Sequence, residues 1–569
     1  MGTGNVDYGS NMIEVLLSEK KVTPQQNQIV ISRNNDGWND FGHRIKANFA
    51  INFVIKGEPV IYDGNLYVGF TQEEKLSKEL IDKPLIRSQE LDFRDWSYTY
   101  VKQGSTIETI DIPAFFTMLP NMQSYRMIVK VFGADVAKLL LEAINDLVVR
   151  KKSVKYEAWL KKAIITETFT LGFMRASESF FAFHNAESIL DGLDRESFNA
   201  ISSILDLSFK LDGFTNEHRL GLKYSNDSII PKRINVLIGE NGLGKSQCLN
   251  RFCRAVLRYK RPDAKIVDSG SNIHKGRVMI NRLLAIGTPG ETANTFPYER
   301  PKSDKVYYRR LHLTRNCRAK RSRSIADLLV QLARSEELIG DMERWELFLR
   351  SVSDVLDLTR LYIQMTDGSY FKVMKIFDRP SEQKSLENWS KVAPRAEPLV
   401  MYNGEYFPLS SGQLTFFKFA LLCAFYIENG SFVLMDEPET HLHPTLISQF
   451  VDLLDGILEK TGSYALIATH SAFFVREVSR EQVHVFKLEE NRAISIVKPR
   501  LRTFGSDVDS ISQFVFNEDI ENRLTAKIYN RVKGLNFTEI EKNLSPEISL
   551  AALMDLKTRM ETDEENKPS

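Results

Sequence analysis

The most informative stretch of this chain is Gly239-Glu240-Asn241-Gly242-Leu243-Gly244-Lys245-Ser246. It matches the pattern G-x-x-x-x-G-K-[ST] in full, which is typical of a loop that holds phosphate groups. Glycines let such a loop curl until its N–H groups face phosphate oxygens, and the following helix N-terminus favours anions. The apolar run at 234–238 predicts a buried strand before the loop, and residues 246–259 read as a helix. Strand, loop and helix together predict an α/β nucleotide-binding domain.

The loop residues have separate expected roles in binding ATP and Mg²⁺. Lys245 is expected to bridge the β- and γ-phosphates, and the hydroxyl of Ser246 to ligate Mg²⁺. The other candidates for nucleotide contact are the rest of the loop and the residue after it: Gly239, Glu240, Asn241, Gly242, Leu243, Gly244 and Gln247.

A pair of carboxylates follows a second apolar run. Residues 432–435 read as a buried strand, and Asp436 and Glu437 come directly after it. Carboxylates at the carboxyl end of a parallel sheet suit metal and water positioning. We expect Asp436 to hold Mg²⁺ and Glu437 to orient or deprotonate the attacking water.

Two further motifs lie on either side of this acidic pair. Leu409-Ser410-Ser411-Gly412-Gln413 precedes a long apolar helix, and two interpretations stay open: a plain helix cap at Ser410, or a turn whose N–H groups face an anion. In the second interpretation Ser410, Gly412 and Gln413 contact the nucleotide. His470 ends the apolar run at 466–469, where a γ-phosphate sensor is expected.

The four elements, in this order, resemble ATP-binding-cassette (ABC) type ATPases. The resemblance implies that two nucleotides are sandwiched between two copies of the domain. Lys245 and Ser246 would then act in cis, and Ser410 and Gly412 in trans. Glu437 would be the catalytic carboxylate, with Lys245 and His470 relieving charge on the γ-phosphate.

Details of the motifs separate branches of this class. The forms D-E-P-E-x-x-L-H-P at 436–444 and A-T-H-S at 468–471 resemble soluble RecF/SMC-like and OLD-type ATPases rather than transporters. We identify no Q-loop glutamine, and the stretch 290–296 is expected to take its place. Long SMC arms are disfavoured because sustained heptads are missing. The stretch after His470 is expected to be too short for a Toprim nuclease domain, so Asp507-Val508-Asp509 is interpreted as the start of a helix.

The motifs, together with Thr503-Phe504-Gly505, also resemble the PtuA-like ATPases of Septu and retron anti-phage defence. That resemblance implies a cytoplasmic ATPase that regulates a separate HNH-type nuclease subunit. Two alternatives stay open. The protein could be a RecF-type DNA-repair ATPase without a nuclease partner, or a scaffold in which bound ATP stabilises the structure and is rarely hydrolysed.

A cluster of basic residues is a candidate nucleic-acid surface, where salt-dependent contacts to phosphates would be expected. Its members are Arg309, Arg310, Arg315, Arg318, Lys320, Arg321 and Arg323. A solvated loop, or contacts to ATP or to a partner subunit, are the alternative interpretations.

The order of strands and helices predicts three parts. Residues 1–215 form an N-terminal α+β region, residues 216–505 the ABC-type ATPase domain with a helical signature lobe at about 300–430, and residues 506–569 a C-terminal helical region with an acidic tail.

The amino-acid composition limits which partners, bound metals and cellular locations the sequence supports. The 569 residues carry a net charge of +1, so nucleic-acid contact would need a local patch rather than an overall basic surface. Four cysteines without a C-x-x-C pair favour neither a disulfide framework nor a zinc site. The sequence lacks an apolar run of transmembrane length and an N-terminal signal pattern, which favours the cytoplasm.

Overall fold

The computed structural model describes most of the chain. The described residues are 13–34, 44–71, 106–108, 115–151, 157–197, 201–258, 264–270, 277–287, 295–300, 305–313, 324–353, 355–378, 381–489, 492–516, 523–532, 536–548 and 550–565.

The N-terminal region is a six-stranded sheet packed against short helices. Its strands are β1 (Glu14–Ser18), β2 (Gln28–Arg33), β3 (Lys46–Ile55), β4 (Glu58–Phe70), β5 (Thr106–Glu108) and β6 (Phe115–Met118). Its helices are α1 (Met122–Phe132), α2 (Ala134–Ala143), α3 (Leu147–Arg150), α4 (Glu157–Ile164) and α5 (Ser177–Asn185). The strand order is β5-β1-β2-β3-β4-β6, and a π-helical turn, Thr168–Phe173, lies between α4 and α5. The expected N-terminal α+β architecture is therefore present.

A second set of elements begins the ATPase core. It comprises β7 (Ile204–Lys210), β8 (Glu217–Lys223), β9 (Ile234–Gly239), α6 (Lys245–Val256), β10 (Ala264–Asp268), β11 (Arg282–Gly287) and β12 (Tyr307–His312). Strands β10, β7 and β8 pair in an antiparallel sheet in that order. Every residue of β9 is buried, which explains why this strand is apolar throughout instead of alternating.

The signature lobe follows and contains both helices and strands. Its helices are α7 (Ile325–Arg334), α8 (Arg344–Ser353), α9 (Glu382–Ser390) and α10 (Ser411–Tyr426). Its strands are β13 (Leu338–Ile339), β14 (Met342–Glu343), β15 (Leu361–Gln364), β16 (Tyr370–Lys372), β17 (Leu399–Tyr402) and β18 (Glu405–Pro408). The last four form an antiparallel sheet of order β16-β15-β17-β18, so the lobe carries a small sheet beside its helices.

The remaining elements complete the central sheet and the C-terminal region. They are β19 (Phe432–Asp436), α11 (Pro444–Thr461), β20 (Tyr464–Ala468), α12 (Ala472–Arg476), β21 (Val483–Leu488), β22 (Ile494–Val497), α13 (Val508–Phe516), α14 (Arg523–Val532), α15 (Phe537–Leu544) and α16 (Leu550–Glu565). The central sheet has the order β12-β11-β19-β20-β9-β21-β22 and is parallel except for β22. This parallel sheet with helices confirms the expected α/β fold class.

Parallel pairing places the strand ends that carry the candidate site residues at one edge of the central sheet. Strand β19 lies between β11 and β20, and β20 lies between β19 and β9. Asp436 therefore stands beside the end of β20 and close to the loop that leaves β9. None of the described helices combines the length and the apolar character that spanning a bilayer requires.

A buried ion network joins the N-terminal region to the ATPase core. Arg126 on α1 contacts Glu196 and Glu428, both at 2.8 Å, and Glu428 also contacts Arg344 of α8 at 2.9 Å. The side chains of these four residues are at most 3% exposed. Charges this deeply buried require partners, so the network fixes how the two parts dock.

Candidate active site

The phosphate-binding loop has the geometry that its glycines predict. Gly244 has φ +88° and caps the N-terminus of α6, and Gly239 has φ +153° at the end of β9. A Cβ on Gly239 would stand 2.5 Å from the carbonyl oxygen of Phe486 on β21. Both glycines are needed because the loop must turn tightly beside a neighbouring strand. Leu243 points into the core beneath the loop, so only its backbone is available to a nucleotide.

Lys245 is buried and turned onto its own loop. Its Nζ donates hydrogen bonds to the carbonyl oxygens of Gly239 at 2.8 Å and Glu240 at 2.9 Å. Burial lowers the pKa of Lys245 to about 8, while the charges of Glu437 and Asp436 oppose this change. The ammonium group is therefore mostly charged at pH 7 and lies where phosphate oxygens are expected to bind.

Hard oxygen donors meet beside the loop. Ser246 Oγ donates to Asp436 Oδ1 at 2.9 Å, and Thr295 Oγ1 donates to Asp436 Oδ2 at 2.7 Å. A hydroxyl and a carboxylate at this spacing suit Mg²⁺, which prefers oxygen ligands and usually keeps several waters. The residues present thus fit an ATP–Mg²⁺ complex, with Ser246 and Asp436 as the predicted metal site.

Glu437 and His470 form a continuous chain with Lys245. The imidazole Nε2 lies 3.2 Å from Glu437 Oε1, and Nδ1 lies 3.3 Å from Lys245 Nζ. Burial, and then the charge of Lys245, lower the pKa of His470 to about 4. The ring is therefore neutral at pH 7. Because an ammonium group can only donate, Nδ1 accepts from Lys245, and Nε2–H is left to donate to the carboxylate of Glu437.

The backbone holds Glu437 in an unusual conformation. This residue has φ +48° and ψ +55°, which is left-handed, and its N–H donates to the carbonyl oxygen of Ala468 at 2.9 Å. A non-glycine residue in this region costs of order 1–3 kcal/mol and persists where the surroundings enforce it. The conformation directs the carboxylate toward His470, which lies after the neighbouring strand β20.

Two residues that sequence reasoning missed complete the site. Thr295 lies in the stretch expected to replace the Q-loop, and its hydroxyl reaches Asp436. Glu439 accepts hydrogen bonds from Thr469 Oγ1 at 2.6 Å and from the backbone N–H of His470 at 2.8 Å. Burial raises the pKa of Glu439. Glu439 lies within the D-E-P-E-x-x-L-H-P form, but its contact to the histidine loop depends on strand order, which the motif does not state.

The signature turn is a helix cap within the single chain. Ser410 Oγ accepts from the N–H of Gln413 at 3.3 Å, and Gln413 Oε1 accepts from the N–H of Ser410 at 3.1 Å. This reciprocal pair is a capping box at the N-terminus of α10. Ser410 is exposed and Gly412 is buried. Contact of this turn with a nucleotide on a second copy stays a prediction.

Gln247 and Asp507 make hydrogen bonds that hold local structure. Gln247 Oε1 accepts from the N–H of Asp212 at 3.0 Å, which ties α6 to the turn after β7. Asp507 caps the start of α13 through the N–H of Ser510 at 3.1 Å, as the helix-start interpretation predicts.

The basic cluster is only partly described. Arg309 pairs with Glu299 at 3.0 Å, and a guanidinium N–H of Arg310 donates to the carbonyl oxygen of Phe296 at 3.3 Å. These two arginines thus serve internal contacts. Arg315, Arg318, Lys320, Arg321 and Arg323 lie outside the described residues.

The fold and this site are those of a P-loop ATPase, an enzyme that hydrolyses ATP. A family model described as "AAA domain, putative AbiEii toxin, Type IV TA system" matches residues 400–476, which include the signature turn, the acidic strand end and His470. Protein ea59 of Escherichia phage lambda is 23% identical over 564 residues, covering 94% of this chain and 95% of that protein.

Solved structures with a similar core include the SMC head domain of Thermotoga maritima and cbiO1 of Clostridium perfringens, part of an ABC transporter complex. The SMC head is 15% identical, with a TM-score of 0.25, over 52% of this chain and 99% of that one. The transporter component is 16% identical, with a TM-score of 0.28, over 58% of this chain and 96% of that one.

Proposed function

We propose that this protein is an ATP-driven dimer switch that controls a partner nuclease in anti-phage defence. The observation that supports the switch is the chain from Lys245 through His470 to Glu437 beside the phosphate-binding loop. The signature turn bonds to itself in the single chain and leaves Ser410 exposed at the start of α10. A second copy would bring such a turn onto the loop.

The residues have defined tasks in this proposal. Mg²⁺, when bound, supplies charge neutralisation at the phosphate oxygens. Ser246 and Asp436 would hold it, and Lys245 would leave the loop carbonyls to contact phosphate oxygens. Glu437 orients the attacking water and accepts its proton, while the neutral imidazole of His470 holds the carboxylate in place through Nε2–H. Such positioning and electrostatic stabilisation account for most of the catalysis in this chemistry.

Mixing two inactive variants tests sharing of the site between copies. Lys245→Ala removes the phosphate contact in cis, and Ser410→Glu places a repelling charge in the signature turn. Each variant alone should lose ATPase activity. If the turn acts in trans, a mixed dimer contains one intact site of two, and random pairing makes half of the dimers mixed, so mixing should restore about a quarter of the wild-type turnover. Mixing two preparations of the same variant is the matched control. No restoration would contradict the shared site.

Support for the nuclease partner comes from the resemblance to PtuA-like ATPases, and the match to a phage protein is compatible with a phage-related role. Glu437→Gln protein is purified from its host with ATP–Mg²⁺, beside Lys245→Ala as a control. A stoichiometric HNH-type nuclease with Glu437→Gln alone is the expected result. A dimer that carries only DNA would instead favour the RecF-type alternative. Absence of any ATP-dependent dimer would contradict both.

A further inference from the structure

A cavity of about 370 Å³ lies at the edge of the central sheet opposite the ATP site. It is lined by residues just before β11 and β12, by the end of α6, by β10 and by the turn that precedes α5. Asp436 and the phosphate-binding loop lie at the carboxyl ends of the parallel strands, whereas this cavity lies at their amino ends. Helix α6 joins the two places: it begins at Lys245 and ends beside the cavity, about 18 Å away at 1.5 Å per residue.

The wall of the cavity is strongly cationic. Five of its lining residues are basic and none of those described is acidic: Arg175, Arg258, Lys265, Arg277 and Lys305. Burial, and then the charge of Arg258, lower the pKa of Arg277 to about 10. Burial and the charges of Arg175, Arg258 and Arg277 lower the pKa of Lys305. These positive charges therefore repel one another across the cavity, and an anion between them would relieve the repulsion.

The central arginine is held in a fixed orientation. Arg277 donates to the carbonyl oxygen of Met174 at 2.6 Å, and its guanidinium carbon lies 3.7 Å from the centre of the Phe180 ring. A guanidinium carries five N–H donors in a rigid plane, which suits two-point contact with phosphate. Stacking and the carbonyl bond order this group before any ligand arrives.

The rest of the lining is apolar and limits what can bind. Side chains such as Met174, Val256, Ile266 and Val278 form a wall beside the cations. The volume lies in the range typical of small-molecule sites, roughly 300–1,000 Å³. A ligand that matches both walls has a phosphate group for the cations and a flat, weakly polar part for the apolar side.

We propose that this cavity is a second ligand site, separate from the phosphate-binding loop, which binds one nucleoside phosphate unit. The unit is either a free nucleotide or the terminal nucleotide of a strand, because the two present the same chemistry. Arg277 and Lys305 contact the phosphate, and the wall with Ile266 and Val278 contacts the base. This inference does not depend on the proposed nuclease partner.

Binding is measured by isothermal titration calorimetry on the full chain carrying Lys245→Ala, which removes nucleotide binding at the loop. The probes are AMP, GMP, CMP, UMP, inorganic phosphate, and a six-nucleotide DNA strand with and without a 5′-phosphate. Saturable 1:1 binding of a mononucleotide supports a free nucleotide as the ligand. Binding of the 5′-phosphorylated strand alone supports a strand end. Binding of none of the probes, or equal binding of the strand without its phosphate, overturns the proposal.

Two kinds of substitution locate the site. Lys265→Glu with Lys305→Glu reverses two exposed charges at the cavity, and the expected result is at least tenfold weaker binding. Lys375→Glu with Lys384→Glu makes the same charge change in the signature lobe and should leave the affinity unchanged. Ile266→Trp fills the cavity without changing charge and should also weaken binding tenfold. Unchanged affinity in Ile266→Trp, with an unchanged melting temperature, would assign the binding to general surface charge and overturn the proposal.

Discussion

Arg126→Met should strongly weaken the attachment of the N-terminal region to the ATPase core. The guanidinium is fully buried and donates to both carboxylate oxygens of Glu196, to Glu428 Oε1, and to the carbonyl oxygen of Leu338 at 3.0 Å. Its removal leaves the buried carboxylate of Glu196 without this cation, whereas Glu428 keeps its pairing with Arg344. Breaking a buried charge pair from one side typically costs 3–5 kcal/mol, so we expect a loss of about 4 kcal/mol in the free energy of unfolding.

Urea denaturation measures this loss, followed by both tryptophan fluorescence and far-UV circular dichroism, since a chain of this size need not unfold in one step. Lys130→Ala is the matched control, because Lys130 lies on the same helix and pairs with Glu343 at 3.3 Å in a half-exposed position. Exposed pairs contribute about 0–1 kcal/mol, so this control should change little.

A double variant tests whether the unpaired buried carboxylate of Glu196 causes this loss of stability. If stranded charge causes the penalty, Glu196→Gln should destabilise the Arg126→Met protein less than it destabilises the wild type. A loss below about 1.5 kcal/mol in Arg126→Met, or strictly additive effects in the double variant, would refute the reasoning.

Three other predictions follow from the site and the core. Thr295→Val removes the hydroxyl bonded to Asp436 and should lower ATPase turnover about tenfold, since a hydrogen bond to a charged group contributes about 1.5–3 kcal/mol; a Mg²⁺ titration of the rate checks whether metal affinity falls with it. Glu439→Leu releases the loop that carries His470, so kcat should fall while KM stays nearly constant, and Glu439→Gln, which keeps one acceptor oxygen, should retain most activity. Burial raises the pKa of Asp146 from 3.8 to about 7, so between these pH values the folded state binds more protons than the unfolded state. The free energy of unfolding therefore falls as the pH rises through this range. Urea midpoints at pH 4.5, 5.5 and 7 should show this decline, and Asp146→Asn should remove it.

Local motifs carried most of the information about the ATP site. The loop at 239–246 needs glycine where φ is positive and where a neighbouring strand approaches, and it carries a lysine and a hydroxyl where phosphate and metal are expected to bind. These demands act over a few residues, so they are visible as a spacing. The acidic pair at the end of β19 and the histidine after β20 are visible for the same reason, because an apolar strand that ends in a polar residue marks the edge of a buried parallel sheet.

The contacts between separated segments depend on the tertiary structure. Sheet order brings Glu439 to His470 and Thr295 to Asp436, and neither pairing leaves a local pattern. The buried network around Arg126 joins residues from four separated segments, and its members look like ordinary surface charges when each is read alone. The cationic cavity likewise collects residues scattered between 170 and 306.

The class of this protein can be read from its sequence, since the chemistry of phosphate binding requires particular residue types at short, fixed spacings. Which buried charges meet, how the N-terminal region docks, and where a second cavity opens depend on long-range packing, so these features are visible only in the folded structure.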